Sequence, residues 1–361
     1  MLIFWVLNLS VASAQERERP PVDSYDLWSE PNPGVRYLKR VTTAPVTVHV
    51  LELDLRAEGI EIVASSPDDR WSTVAEVGQR HEFAAAINGG FWHSMAQPGG
   101  MQVADGELWE TSKDDGFYGY FGITTRGRAI IREPDAISDA TNLQHAVSAR
   151  PMLIDEGEVT TERIDVAESA NRRQPRTAVG IANRGRRVWL LVTDGRQEHS
   201  VGMTLYEVAR MLQELGAERA INLDGGGSST IYVAELGGVI NAPSGGRWEQ
   251  RLGLGATRER GEETGRVRRT RSGREMVYVR GVEREVMNVL GVRAPPREGV
   301  AIRRSAPLDL PLDIPEVVTL TPRAPTIRLG IWREWIVPLG CTFAVFCMAF
   351  LAWRVRRRLR A

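Results

Sequence analysis

"AINLDGGGSSTIYV", residues 220–233, runs from an apolar, strand-like segment through three consecutive glycines and two serines into a second β-type run. Glycine costs more conformational entropy on folding than any other residue, so something local must need bare backbone here. Familiar glycine motifs fail. A Walker A loop requires Gly-Lys-Ser/Thr before a helix, but no lysine follows and "STIYV" reads as strand. A dinucleotide fingerprint must open a helix. A hydrolase nucleophile elbow needs G-x-S-x-G, and Gly226-Gly227-Ser228-Ser229-Thr230 lacks the closing glycine. What remains is a glycine bend between two strands, with Asp224 at its edge.

Two other apolar strands end in the same punctuation, a polar residue and then glycine: Ile87-Asn88-Gly89-Gly90 and Thr193-Asp194-Gly195-Arg196. A single Asp-Gly after a strand is an ordinary turn. Three such ends in one chain, two of them with carboxylates, mark a shared site, because strand ends are where folds place reactive groups. Arg150, Arg176 and Arg196 flank these motifs. Arginine suits bidentate binding of phosphate or carboxylate. Carboxylates, arginines and glycine amides together point to an anionic, hydroxyl-rich ligand. His93 and His199 lie near the motifs without ligand spacing, so no metal site is assigned.

Working outward, residues 45–55 alternate, with Val46, Val48 and Val50 on one side and Thr47, His49 and Leu51 on the other. Residues 60–65 continue in that style and suggest a meander with them. A short helix with Val74 and Val77 on one face leads into a buried strand, Ala84–Ile87. Residues 105–131 and 145–159 hold short strands with glycine turns, the second around Asp155-Glu156-Gly157. Residues 176–181 and 187–195 read as neighbouring strands about Asn183-Arg184-Gly185, the second apolar enough to be central. Thr204 and Glu207 form a capping box ahead of a helix carrying Leu205, Val208, Ala209, Leu212 and Leu215, which Gly216 stops. These elements predict an α+β fold: a mixed, largely antiparallel sheet flanked by helices, in one catalytic domain.

"AAAINGGFW", "SARPMLIDEGEV", "PRTAVGI", the stretch Thr193–Thr230 and "EREVMNVLGV" resemble the phosphodiester glycosidase domain family of animal lysosomal and bacterial exported proteins. The resemblance covers roughly residues 34–293. It implies hydrolysis of a sugar 1-phosphodiester between the anomeric carbon and oxygen. The oxocarbenium-like transition state calls for a nearby carboxylate, and charge stabilisation of the departing phosphate for arginine. Asp194 and Asp224 are the expected catalytic carboxylates, with acid and base undivided between them, and Arg176 the expected catalytic cation. Arg176 and Arg150 would hold phosphate. Asn88, Gly89, Arg196, Asn222, Gly225, Gly226, Gly227, Ser228 and Ser229 would meet sugar hydroxyls or phosphate oxygens, and Asn288 would close the site. No cofactor is implied. A glycan-binding module on the same fold, and a metal-dependent enzyme cleaving P–O, are the alternatives. Labelled water separates the last from glycosyl C–O cleavage.

Two departures from the family pattern stand out. An insertion of about 244–281, dense in Gly, Arg and Glu, reads as a loop or hairpin whose returning strand is 276–279; contact with an acidic polymer is one use for it. The ends differ from the body as well. Residues 1–14 end in Ala12-Ser13-Ala14 and read as a truncated secretion signal. Residues 294–330 carry seven prolines and read as a stalk. Residues 335–353 hold 19 uncharged positions bounded by tryptophans, enough to cross a bilayer. Five arginines in 354–361 then place that end in the cytoplasm and the main body outside. The expected partners are a phosphorylated glycan and, through that helix, a lipid bilayer. Lys+Arg and Asp+Glu balance at 46 each, so nucleic acid is not an expected partner. Both cysteines, Cys341 and Cys347, fall in the apolar span, which leaves the body without thiol chemistry.

Overall fold

A computed structural model describes residues 24–297, apart from 95–96, 111, 113–115, 134–139, 166, 168, 251–261 and 271–273. The expected leader, membrane span and arginine tail, and the stalk beyond residue 297, lie outside the described residues. Among those residues, no helix is long and apolar enough to cross a membrane.

The largest sheet has eight strands, in the order Ser24–Asn32, Val35–Thr42, Val46–Asp54, Arg187–Thr193, Arg176–Ala182, Arg219–Asn222, Met152–Asp155 and Glu158–Val159. A five-stranded sheet follows the order Gly238–Val239, Ile231–Val233, Ala85–Asn88, Val289–Arg293 and Glu61–Ala64. A second five-stranded sheet is built around Gly119–Thr124 and Leu143–Ala149. The described strand pairs are antiparallel, so the expected mixed sheet is corrected to an antiparallel one, divided among several sheets. The meander is also corrected: Val46–Asp54 and Glu61–Ala64 belong to different sheets.

Alternation explains the layering. Along Arg187–Thr193, Val188, Leu190 and Val192 enter one core cluster with Ile87, Ile231, Val233 and Leu290 of the facing sheet. Trp189 and Leu191 turn the other way, to Leu205, Val208, Ala209 and Leu212. Both faces are buried from Val188 to Val192, so the strand is apolar over that stretch and sits centrally, as its sequence predicts. The Val46–Asp54 strand likewise divides: Val46, Val48 and Val50 join the helix-side cluster, Leu51 and Leu53 the inter-sheet core.

Helices are few. Helix α1, Val74–Arg80, packs Val74 and Val77 against Phe83 and Tyr232 outside the smaller sheet. Helix α2, Thr161–Asp165, is a single turn. Helix α3, Leu205–Glu214, begins with the expected capping box, the Thr204 hydroxyl accepting from the Glu207 N–H and the Glu207 carboxylate from the Thr204 N–H. It ends ahead of Gly216, whose φ of +96° lies in the left-handed region that favours glycine. The inserted segment forms a three-stranded sheet in the order Gly246–Gln250, Glu275–Arg280, Glu262–Arg269. It is thus more ordered than the expected loop or hairpin, and the expected returning strand lies within its middle member.

Candidate active site

The opening stretch crosses from one sheet to the other. Arg219–Asn222 closes in the eight-stranded sheet and Ile231–Val233 begins in the five-stranded one. Between them, Gly226–Ser228 makes one short 3-10 turn. The crossing is pinned by its own backbone. The Asp224 N–H donates to Gly89 O at 3.2 Å and the Gly226 N–H to Pro175 O at 2.8 Å. Gly226 has φ +62°, and a Cβ there would lie 3.1 Å from Arg196 Nη2. Bare backbone is needed both for the turn and for that arginine's approach.

This crossing floors a cavity of about 430 Å³. Arg150, Arg172, Arg176, Arg196 and Arg284 line it, and Asp224 is the single carboxylate among its described lining residues. Asp224 Oδ2 accepts from the Ser228 hydroxyl at 2.7 Å and lies 3.6 Å from Arg284 Nη2. Burial pushes the Asp224 carboxyl up; Ser228, the Arg284 charge and the Gly225 N–H oppose this without cancelling it. A carboxyl held above its ordinary range inside a cavity is suited to proton transfer.

Arg176 is 5% exposed and spends most of its donors on the protein itself. Its Nε donates to Met203 O at 3.1 Å, and Nη2 donates to Ser169 O at 2.6 Å and Arg172 O at 2.8 Å. These acceptors are neutral. Burial therefore lowers its pKa to about 10, helped by the like charge of Arg196. The guanidinium is a fixed buried cation on the cavity wall rather than a free clamp. Arg150 lies 3.7 Å over the Phe117 ring and faces both this cavity and the adjoining one. Arg196 Nη2 donates to Gln174 Oε1 at 2.9 Å.

Asn222 and Gln174 are the amide residues lining the cavity; Asn222 is the one at a strand end. Its Nδ2 donates to Arg150 O at 2.7 Å, while its buried Oδ1 has no hydrogen-bond partner.

Asp194 is placed elsewhere. It lines a neighbouring cavity of about 570 Å³ with Lys39, His49 and His199. Its Oδ1 accepts from the Ala242 N–H at 2.8 Å and from Asn241 Nδ2 at 3.1 Å. Nε2 of both His49 and His199 lies 3.5 Å from Oδ2. Burial would raise this carboxyl, but His49, the Ala242 N–H and Asn241 outweigh it and hold the pKa below its ordinary value. The two aspartates therefore have opposite electrostatics and line different cavities. They are joined indirectly, since Asn241 Nδ2 also donates to Ser229 O at 3.1 Å.

Several expected contact residues are structural ties. Asn88 Nδ2 donates to Asp224 O at 2.6 Å, and its Oδ1 accepts from the Thr177 hydroxyl and the Thr230 N–H. Ser229 accepts from Thr177 at 3.2 Å. A Cβ on Gly89 would stand 2.0 Å from Asn288 Oδ1, the atom that accepts the Gly90 N–H. Asn88, Gly89, Ser229 and Asn288 thus brace the crossing from behind, and none lines the arginine-rich cavity. Gly225, Gly226 and Gly227 do line it, although the Gly226 N–H is already bonded. Arg172 and Arg284 were not anticipated. Arg172 lies in the basic run before Pro175 and Arg284 in the "EREV" segment, so each carried a visible but unspecific signal. Among the described residues, no group of three or more His, Cys, Asp or Glu side chains is arranged to hold a metal ion.

The antiparallel β-rich fold is similar to that of a solved structure. The catalytic domain of zebrafish N-acetylglucosamine-1-phosphodiester alpha-N-acetylglucosaminidase aligns at a TM-score of 0.51 and 21% identity, over 77% of this chain and 85% of that one. Residues 81–257 match the family model described as phosphodiester glycosidase. Among curated proteins, the mouse N-acetylglucosamine-1-phosphodiester alpha-N-acetylglucosaminidase is 30% identical over 181 residues, 45% of this chain and 34% of that protein. The SPbeta prophage-derived uncharacterized protein YomE of Bacillus subtilis is 29% identical over 167 residues, 45% of this chain and 26% of that protein. The chain thus aligns with about a third or less of the length of these relatives. The matched segment contains all three glycine-punctuated strand ends and stops before Arg280, Arg284 and Asn288.

Proposed function

We propose that this chain hydrolyses a sugar 1-phosphodiester at the glycosyl C–O bond. The observation that carries this reading is Asp224, one carboxyl with an upward-shifted pKa, set among five arginines in a single cavity. A phosphate is a competent leaving group once its charge is met, so cations serve departure better than a strong acid. Arg176, fixed and buried with neutral partners, and Arg172 and Arg150 beside it supply that charge. Asp224 acts at the anomeric carbon as the base that takes a proton from attacking water. Its raised pKa makes it a stronger base than an ordinary aspartate. Ser228 and Arg284 orient its carboxyl. Asp194 acts at a distance, holding the glycine crossing through Asn241 and Ser229. The reading invokes no cofactor, and assays with and without chelator test cation dependence.

The deciding assay supplies a panel of sugar 1-phosphodiesters in isotopically labelled water. The label in the released sugar supports C–O cleavage; the label in the phosphate overturns it. The presence of one carboxylate rather than two in the cavity favours a second reading, a glycan-binding module. Binding without turnover of any panel member would establish that instead.

We further propose an exported protein, anchored by residues 335–353 with its main domain outside the cytoplasm and acting on envelope or extracellular glycans. The uncharged span bounded by tryptophans and the arginine tail support this. Recovery of the full chain in the soluble fraction would refute the anchor.

A further inference from the structure

A second cavity, of about 550 Å³, adjoins the first and shares Arg196, Gly227 and Arg284 with it. Its other wall is the inserted sheet, which contributes Arg280, Tyr278 and Glu262. The two are joined backbone to backbone. A Cβ on Gly245 would stand 2.5 Å from Gly227 O, and within the insertion the Gly281 N–H holds Gly245 in place by donating to its O at 2.9 Å. The insertion is therefore seated on the glycine crossing itself. Arg266 lies over the Trp248 and Tyr278 rings, at 5.8 and 5.4 Å, which braces the same sheet.

The charges run one way. Arg196, Arg280 and Arg284 face the second cavity, and Glu262, paired across the strands with Arg280, is its carboxylate. In the first cavity Asp224 stands against five arginines. A single phosphodiester carries one negative charge and leaves most of these cations unmatched. We propose, resting on the glycosidase reading, that the second cavity is a subsite for a second anionic linkage. The substrate class is then a glycan with repeating phosphodiester linkages, the scissile one in the first cavity and its neighbour beside Arg280. Arg280 is a specificity residue here, since it lines the second cavity and not the one that holds Asp224.

The test uses the full chain and non-hydrolysable phosphonate analogues of a sugar-phosphodiester fragment, with one linkage or two. Calorimetry on the wild type is expected to show the two-linkage analogue binding about tenfold more tightly, an advantage that shrinks as salt rises. Arg280→Gln abolishes that advantage and leaves one-linkage binding unchanged; Arg280→Lys restores part of it. Equal affinity of the two analogues for the wild type, or equal weakening of both by Arg280→Gln, overturns the subsite. Binding of neither analogue overturns both the subsite and the glycosidase reading. If the analogues behave as expected but neither natural fragment is cleaved, the subsite stands and the hydrolytic reading falls.

Discussion

The Ser228 hydroxyl donates to Asp224 Oδ2 at 2.7 Å, from four residues further along the same crossing. The glycine-serine run thus supplies both the floor of the cavity and a partner for its carboxyl. Ser228 favours the ionised form and so opposes the effect of burial. In Ser228→Ala, the limb of the pH–rate profile that reports Asp224 should move to higher pH. At a fixed mildly acidic pH, kcat should fall by about tenfold. An unmoved limb would detach this pair from catalysis.

Asp224→Asn should lower kcat by on the order of 10²- to 10⁴-fold, the usual contribution of a general base. Its stability should move the other way. Because the folded-state pKa is raised, the native state holds the proton more tightly than the unfolded chain, and stability is lost as pH rises through the folded pKa. The amide escapes that cost. Thermal melts should therefore place the variant level with or above wild type at neutral pH, and the difference should narrow on acidification.

Asp194→Asn should behave in the opposite sense. The depressed folded pKa contributes stability above the ordinary carboxyl value, which is lost as pH falls through the folded pKa. Removing this charge should cost about 1–3 kcal/mol at neutral pH, because the Ala242 N–H and the Asn241 amide lose a charged acceptor. Denaturant titration checks this. With the folded fraction accounted for, residual activity should exceed that of Asp224→Asn.

Inorganic phosphate should raise the melting temperature of the wild type, since a ligand that binds only the native state stabilises it. Arg172→Gln should blunt that rise with little change in the ligand-free melt, because Arg172 contributes a backbone carbonyl, not its guanidinium, to the Arg176 clasp. Arg176→Gln should lower the ligand-free melt as well, by about 2 kcal/mol for hydrogen bonds lost with a buried charge.

Gly226→Ala tests the crossing directly. At φ +62°, alanine should cost about 1–2 kcal/mol, and its Cβ would meet Arg196 Nη2. Activity should drop more than stability alone explains, and Gly226→Asn should be the milder change.

Local elements were legible in the sequence wherever one physical signal dominated. The capping box at Thr204, the turn at Asn183-Arg184-Gly185 and the alternation from Val46 to Val50 all specify their own structure. Sheet membership was not legible. Residues 60–65 have strand character without any mark of the partner they choose, so the expected meander with 45–55 gave way to pairing with Val289–Arg293. The site was half visible for a similar reason. Polar residues at strand ends announce Asp224 and Asn222, but Asn88, Asn288 and Ser229 carry the same signature while pointing into bracing hydrogen bonds. Asp194 differs from Asp224 through His49, Asn241 and Ala242, which are distant along the chain and adjacent only after folding.

The crossing at 223–230 belongs to both sheets at once, with Leu223 and Ile231 anchored in their common core. A partly folded chain with either sheet alone would have the residues of the cavity but not its floor. Under the proposed glycosidase function, activity would report sheet docking, and in refolding it should return with the last long-range contacts rather than with the first strands.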